Sequence, residues 1–164
     1  MEEAVPQVHF VMSKDVARST AYRKIFTAPD DSSTLTAAHL VTEAQLYRSI
    51  QLNVANPAAL DDIRWTYRET LAIAQSLRKP KGDGEDWLWV TLRCLNNIRN
   101  HLAHNIEVVD LSEQILAMYQ AAGNHIDVHT TGADSEERER NRLKYFLLIL
   151  CGVVQLLQDP MARV

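Results

Sequence analysis

Breakers are scarce in this chain of 164 residues, with only five glycines and five prolines. Long uninterrupted segments remain between them, which favours helices and argues against a turn-rich β architecture. Cysteine is nearly absent. Cys94 and Cys151 lack metal-ligand spacing, so both are expected to be buried thiols in a reducing cytosol rather than a zinc site. Positive charge is not in excess either: 17 Lys and Arg face 21 Asp and Glu, a formal net charge of −4. That balance argues against a protein that coats nucleic acid by bulk charge, so any RNA contact has to be local. The longest apolar run, Tyr145 to Leu157, contains Gln155 and is too short to span a bilayer. No basic region followed by an apolar core marks a secretory leader. These absences lead to the expectation of a cytoplasmic protein with no membrane partner. Glycine-rich phosphate loops, internal repeats and a Ser/His/Asp ordering are also missing, so no cofactor is expected.

What is present is ample core material, 46% hydrophobic residues, in a length that suits one domain. The periodicity predicts an all-α, single-domain bundle of about five main helices, divided into an N-terminal arm and short helix over 1–33 and a helical bundle over 34–160. Residues 1–12 show no convincing period. Ser13 suits the cap of a short helix through about Phe26, with Val16, Tyr22 and Ile25 inward and Arg18, Arg23 and Lys24 outward. The stretch 27–33, TAPDDSS, reads as a linker. A helix from about Thr34 to Asn53 offers Leu35, Ala38, Val41, Leu46 and Ile50 to the core. A third is expected from Asp61 or Asp62, through Ile63, Tyr67, Leu71 and Ala74 to Leu77, ended by the KPKGDG of 79–84. Asp83 or Glu85 opens the next helix, with Trp87 and Trp89 as large core side chains.

Asp110 or Ser112 caps a helix closed by Gly123, and 123–133 is expected to be a loop. Its His125 and His129 have an i, i+4 spacing, but the surrounding glycines and threonines speak against a helix and so against a metal site. Asp134 with Glu137 starts the last helix in a capping-box pattern. Its Leu143, Phe146, Leu147, Leu150, Val153, Val154 and Leu157 suit the centre of the core or a dimer seam.

Chemistry concentrates in residues 95–105, LNNIRNHLAHN, near the C-terminal end of the fourth long helix. At about 100° per residue, Leu88, Leu92, Leu95, Leu102 and Ile106 form an apolar stripe, and Arg99 falls where another Leu is expected. An arginine there must be paired or face a cleft. Taking Arg99 as zero, Ala103 lies at about 40°, Asn100 at about 100° and His104 at about 140°, while His101 points away at about 200°. Arg99 and His104 meet poorly within one helix. A second copy crossing at the small Ala103 brings one chain's arginine beside the other's histidine, so a homodimer with a shared site is expected. Glu43, in the middle of the second helix, is either an exposed helix acid or a carboxylate turned inward to hold Arg99 or orient His104.

The run Arg99-Asn100-His101-Leu102-Ala103-His104 resembles the Arg-x4-6-His signature of the HEPN superfamily, the higher eukaryote and prokaryote nucleotide-binding domains, in its Arg-Asn-x-x-Ala-His form. The helical context over roughly residues 34–158 is similar to that group, including its mannitol-operon-repressor-like branch. The resemblance implies an RNA-acting protein, a metal-independent endoribonuclease of toxin–antitoxin or defence type. In it Arg99 holds the scissile phosphate, His104 is the acid/base or water-orienting group, and Asn100 positions them across a two-fold axis. An antitoxin or regulatory protein is an implied partner. The other readings are a non-catalytic transcriptional regulator or interaction module resembling the mannitol operon repressors, and a structural network of an Asn100–His104 pair with Arg99 in a buried ion pair.

Overall fold

The computed structural model describes residues 20–78, 86–105, 110–128, 130 and 134–158. Among them the chain is all-helical, with no strand. Its α-helices are α1 (Thr20–Thr27), α2 (Asp31–Gln51), α3 (Tyr67–Ser76), α4 (Asp86–His104), α5 (Ser112–Ala122) and α6 (Ser135–Leu156), with 3₁₀ turns at Pro57–Leu60 and Gly123–His125. Five of these match the expected main helices, and α1 is the short one. The motif ends the fourth helix in chain order, but the third of the long ones, because α1 has eight residues. The expected Ser13 cap, the 79–84 break, the choice between Asp83 and Glu85, Ile106 and His129 lie outside the described residues.

Two starts differ from expectation, each because a local cap decides it. The segment read as a linker ends at Asp30, whose side chain accepts a 2.7 Å bond from Ser33 N, so α2 begins at Asp31 and Thr34 is already within it. The helix expected from Asp61 begins at Tyr67 instead, where Thr66 and Glu69 form a reciprocal capping box. Ile63, expected inward, therefore precedes the helix and is 45% exposed. α5 starts at Ser112 with Leu111 at its N-cap rather than the expected Asp110 or Ser112, Asp110 Oδ1 accepting from Ser112 N at 2.9 Å. The stop at Gly123 with φ 55° and the Asp134 cap on Glu137 N at 2.8 Å fall where the sequence put them. Gly123 takes a left-handed turn that L side chains rarely adopt.

The hub is α2, which packs against α1, α3, α4 and α6, while α5 lies against α4. Serving four neighbours forces α2 to bury residues around most of its circumference, five of them polar: Thr34, His39, Thr42, Gln45 and Ser49. Most find partners, as buried polar groups must. Thr34 Oγ1 donates to Asp30 O at 2.7 Å, Gln45 Nε2 to the Tyr22 hydroxyl at 2.9 Å and Ser49 Oγ to Leu157 O at 3.2 Å. The Tyr22 hydroxyl donates to Gln155 Oε1 at 2.6 Å, and burial, then Cys151, push its pKa up to about 12 despite the Gln45 bond. In α6, Leu143, Phe146, Leu147, Leu150, Cys151 and Val154 are buried, so this helix is core as expected. Cys151 is a buried thiol, whereas Cys94 is only half-buried. No helix among the described residues is long and apolar enough to cross a membrane.

Candidate functional site

The buried line along α4 runs through Leu88, Thr91, Leu92, Leu95 and Ile98, then the half-buried Leu102. It drifts towards Ile98 because neighbouring helices cover that side and leave the other open. Arg99 therefore does not sit inside the apolar stripe but emerges exposed at its edge. Asn100, Ala103 and His104 are exposed beside it, and the structure brings Arg99 and Asn100 into contact, with Arg99 Nη1 donating to Asn100 Oδ1 at 3.4 Å. His101 is engaged elsewhere: Asn105 Nδ2 donates to its carbonyl at 2.7 Å and stands 3.3 Å from its Nδ1. Asn105 N also donates to that carbonyl at 3.2 Å, so Asn105 closes the helix as His104 ends it.

The structural-network reading does not describe this arrangement. Arg99 is exposed. Neither it nor Glu43 belongs to the ion pairs among the described residues, Arg140–Glu136 and Arg142–Glu139, and Asn100 makes no bond to His104. Glu43 is half-buried, between the two sequence alternatives. It does not grip Arg99; its charge acts on His39, as does that of Arg99.

His39 was not singled out by the sequence, yet it lies at the junction of the two helices that carry these groups. Its ring is 4% exposed, stacks on Tyr67 with centroids 4.1 Å apart and an interplanar angle of 27°, and its Nε2 stands 3.2 Å from Asn96 Oδ1. With the amide oxygen facing the ring, Nε2 carries the hydrogen and donates it. Nδ1 is left buried with no hydrogen-bond partner among the described residues. Tyr67 completes the layer, its hydroxyl 3.0 Å from Thr42 Oγ1. The available signal was the i, i+4 spacing of His39 and Glu43 on a helix whose apolar positions do not account for its length.

Burial lowers the pKa of His39 below its ordinary value, and Arg99 adds to that, while the Asn96 bond and Glu43 oppose it. The unfolded imidazole gains its proton near 6.5 and the folded one only at lower pH, so in that window the unfolded chain binds more protons. Stability is therefore fullest above about pH 6.5 and falls as pH drops from there towards the folded value. Urea midpoints measured from about pH 7.5 down to 5.5 should decline, and His39→Gln should flatten that decline. A wild-type midpoint that holds level over this range would show that the buried imidazole is not the acid-sensitive group.

Among the described residues no group of three or more His, Cys, Asp or Glu side chains is arranged to hold a metal ion. His125 is stacked on Trp87, with centroids 4.8 Å apart and planes 5° from parallel; this occupies one face of its ring, and Trp89 is buried. No family model matches this chain, nor does any curated protein or any solved structure.

Proposed function

We propose that this chain is a HEPN-type RNA-acting protein, a metal-independent endoribonuclease of toxin–antitoxin or defence type, whose site is completed by a second copy of the chain. The observation that carries this reading is the exposure of Arg99, Asn100 and His104 on one flank at the end of α4, with no carboxylate among the described residues paired with the arginine. Side chains retained for stability are found in satisfied networks; these face solvent with their hydrogen-bonding groups largely unspent.

RNA can be cut by its own 2′-oxygen attacking the adjacent phosphorus. The 2′-hydroxyl loses a proton, charge builds on the phosphoryl oxygens, and the departing 5′-oxygen gains a proton, leaving a 2′,3′-cyclic phosphate and a 5′-hydroxyl. Arg99 suits the phosphoryl charge, since a guanidinium stays cationic and presents paired donors to a phosphate. His104 suits proton transfer near neutral pH. Asn100 accepts from Arg99 Nη1 and so holds the guanidinium on that flank. Across a two-fold axis one copy's Arg99 stands beside the other's His104, which takes the 2′ proton while a water protonates the departing 5′-oxygen, and the exposed Ala103 lets two α4 helices approach closely.

The second reading, a non-catalytic regulator or interaction module that binds an antitoxin-like or regulatory protein, is favoured by the net charge of −4, which suits an extended nucleic-acid surface poorly. Incubating the purified chain with single-stranded RNA in excess chelator separates the two. The ribonuclease reading expects cleavage ending in cyclic phosphate; intact RNA would leave the regulator reading in its place, and cleavage only when a divalent metal is restored would overturn the metal-independent mechanism.

A further inference from the structure

The His39–Asn96 pair has no part in the chemistry assigned above, yet it joins α2 to α4, the helix that carries Arg99, Asn100 and His104. Its composition is not what packing alone would select. His39 is 4% exposed with Nδ1 unpartnered among the described residues, and an unsatisfied buried nitrogen costs about 1–3 kcal/mol. A leucine would occupy similar space without that cost. What an imidazole adds is a directional bond, Nε2 to Asn96 Oδ1 at 3.2 Å, with its ring plane set by Tyr67 at 4.1 Å.

That bond is attached to α4 one turn before the motif. Asn96 precedes Arg99 by three residues and Asn100 by four, so the three side chains leave α4 within about 100° of one another. On α2, Glu43 follows His39 by one turn, and both Glu43 and Arg99 lie near enough to act on the imidazole. If α4 turned about its axis by about 20°, a guanidinium about 7 Å from that axis would move by about 2 Å. Displacements of that size cost about 100-fold in rate where a group must meet a reacting phosphate.

We infer that His39 and Asn96 are positioning residues: their hydrogen bond fixes the rotation of α4 against α2 and thereby the direction in which Arg99 and Asn100 project, with Tyr67 holding the imidazole plane. This rests on the ribonuclease reading for its catalytic consequence, and on the geometry alone for the locking of Arg99.

The test compares the full-length wild type with His39→Leu, His39→Gln and Asn96→Leu at a temperature where circular dichroism shows each folded. Two quantities are measured: kcat and KM on a single-stranded RNA oligonucleotide in chelator, and the Arg99 Nε–Hε resonance in ¹⁵N-labelled protein, assigned by its disappearance in Arg99→Lys. His39→Leu and Asn96→Leu should each lower kcat by about 10- to 100-fold with KM within about twofold, and should displace the Arg99 resonance. His39→Gln, whose amide can still donate to Asn96, should recover most of both. The double variant His39→Leu/Asn96→Leu should be no worse than either single one, since the two residues share one bond. An unmoved Arg99 resonance with unchanged kcat overturns the inference, and so does a glutamine variant no better than leucine, which would mark the site as packing only. If the wild type cuts no RNA, the ribonuclease reading falls and the resonance alone decides: displacement by leucine and return with glutamine sustains the locking role, whereas no displacement ends it. Should His39→Leu fail to fold, His39→Gln and Asn96→Ser carry the same comparison, with the serine variant expected to move the resonance and the glutamine variant to preserve it.

Discussion

Arg99→Ala and His104→Ala are each expected to lower RNA cleavage by about 100- to 1,000-fold, the scale on which removal of one charge-stabilising group is felt, while leaving helicity and the urea midpoint near wild type. Both side chains are exposed, so their removal opens no cavity, and surface truncations of this kind change stability by less than about 0.5 kcal/mol. His101→Ala should do much less, because its ring and carbonyl are engaged with Asn105. A hybrid assembled from one Arg99→Ala chain and one His104→Ala chain adds the sharper comparison. If one protomer's arginine serves the other's histidine, the hybrid retains one intact constellation and should recover part of the activity that both parent variants lack. A hybrid as inactive as its parents would assign each site to a single chain or require all four groups together, and sedimentation of the wild type as a monomer at tens of micromolar would remove the shared site altogether.

The largest stability effect is expected at the hub. Leu46 is 0% exposed on α2, the helix in contact with four others, so its surroundings cannot collapse from one side without disturbing another. Leu46→Ala should cost about 3–5 kcal/mol, the loss of the buried side chain plus that of the cavity it leaves, whereas Leu116→Ala, at a position 55% exposed on α5, should stay within about 0.5 kcal/mol. Urea unfolding of the two variants measures this directly: a lower midpoint at unchanged slope is expected for the first. Equal midpoints would mean that α2 is not the element on which the core depends.

The parts of the fold that were legible in the sequence are those set by local chemistry. Asp134 and Glu137 announced α6, Gly123 announced the end of α5, and the apolar positions of α2, α4 and α6 identified their inward faces, because these signals act within a turn or two of the chain. The late start of α3 was legible in principle, since Thr66 and Glu69 stand at capping-box spacing, but the aspartates at 61 and 62 compete for the same role and only one cap is used. The position of Arg99 was not legible. Helical angles put it among Leu88, Leu92 and Leu95, and the outcome turned on which side of α4 its neighbours cover.

Local signals in the sequence settled that the described residues are helical, where α5 ends and α6 begins, and that Arg99, Asn100 and His104 share one flank of one helix. Intrahelical geometry is the same wherever the helix is placed. Only the tertiary structure decided that α2 is the hub, that the motif flank faces solvent, and that His39 and Asn96 meet across 57 positions of chain. Those facts depend on how helices are stacked, and a side chain's burial is a property of its neighbours rather than of its own helix, so no periodicity within α2 or α4 specifies which of them the imidazole will join.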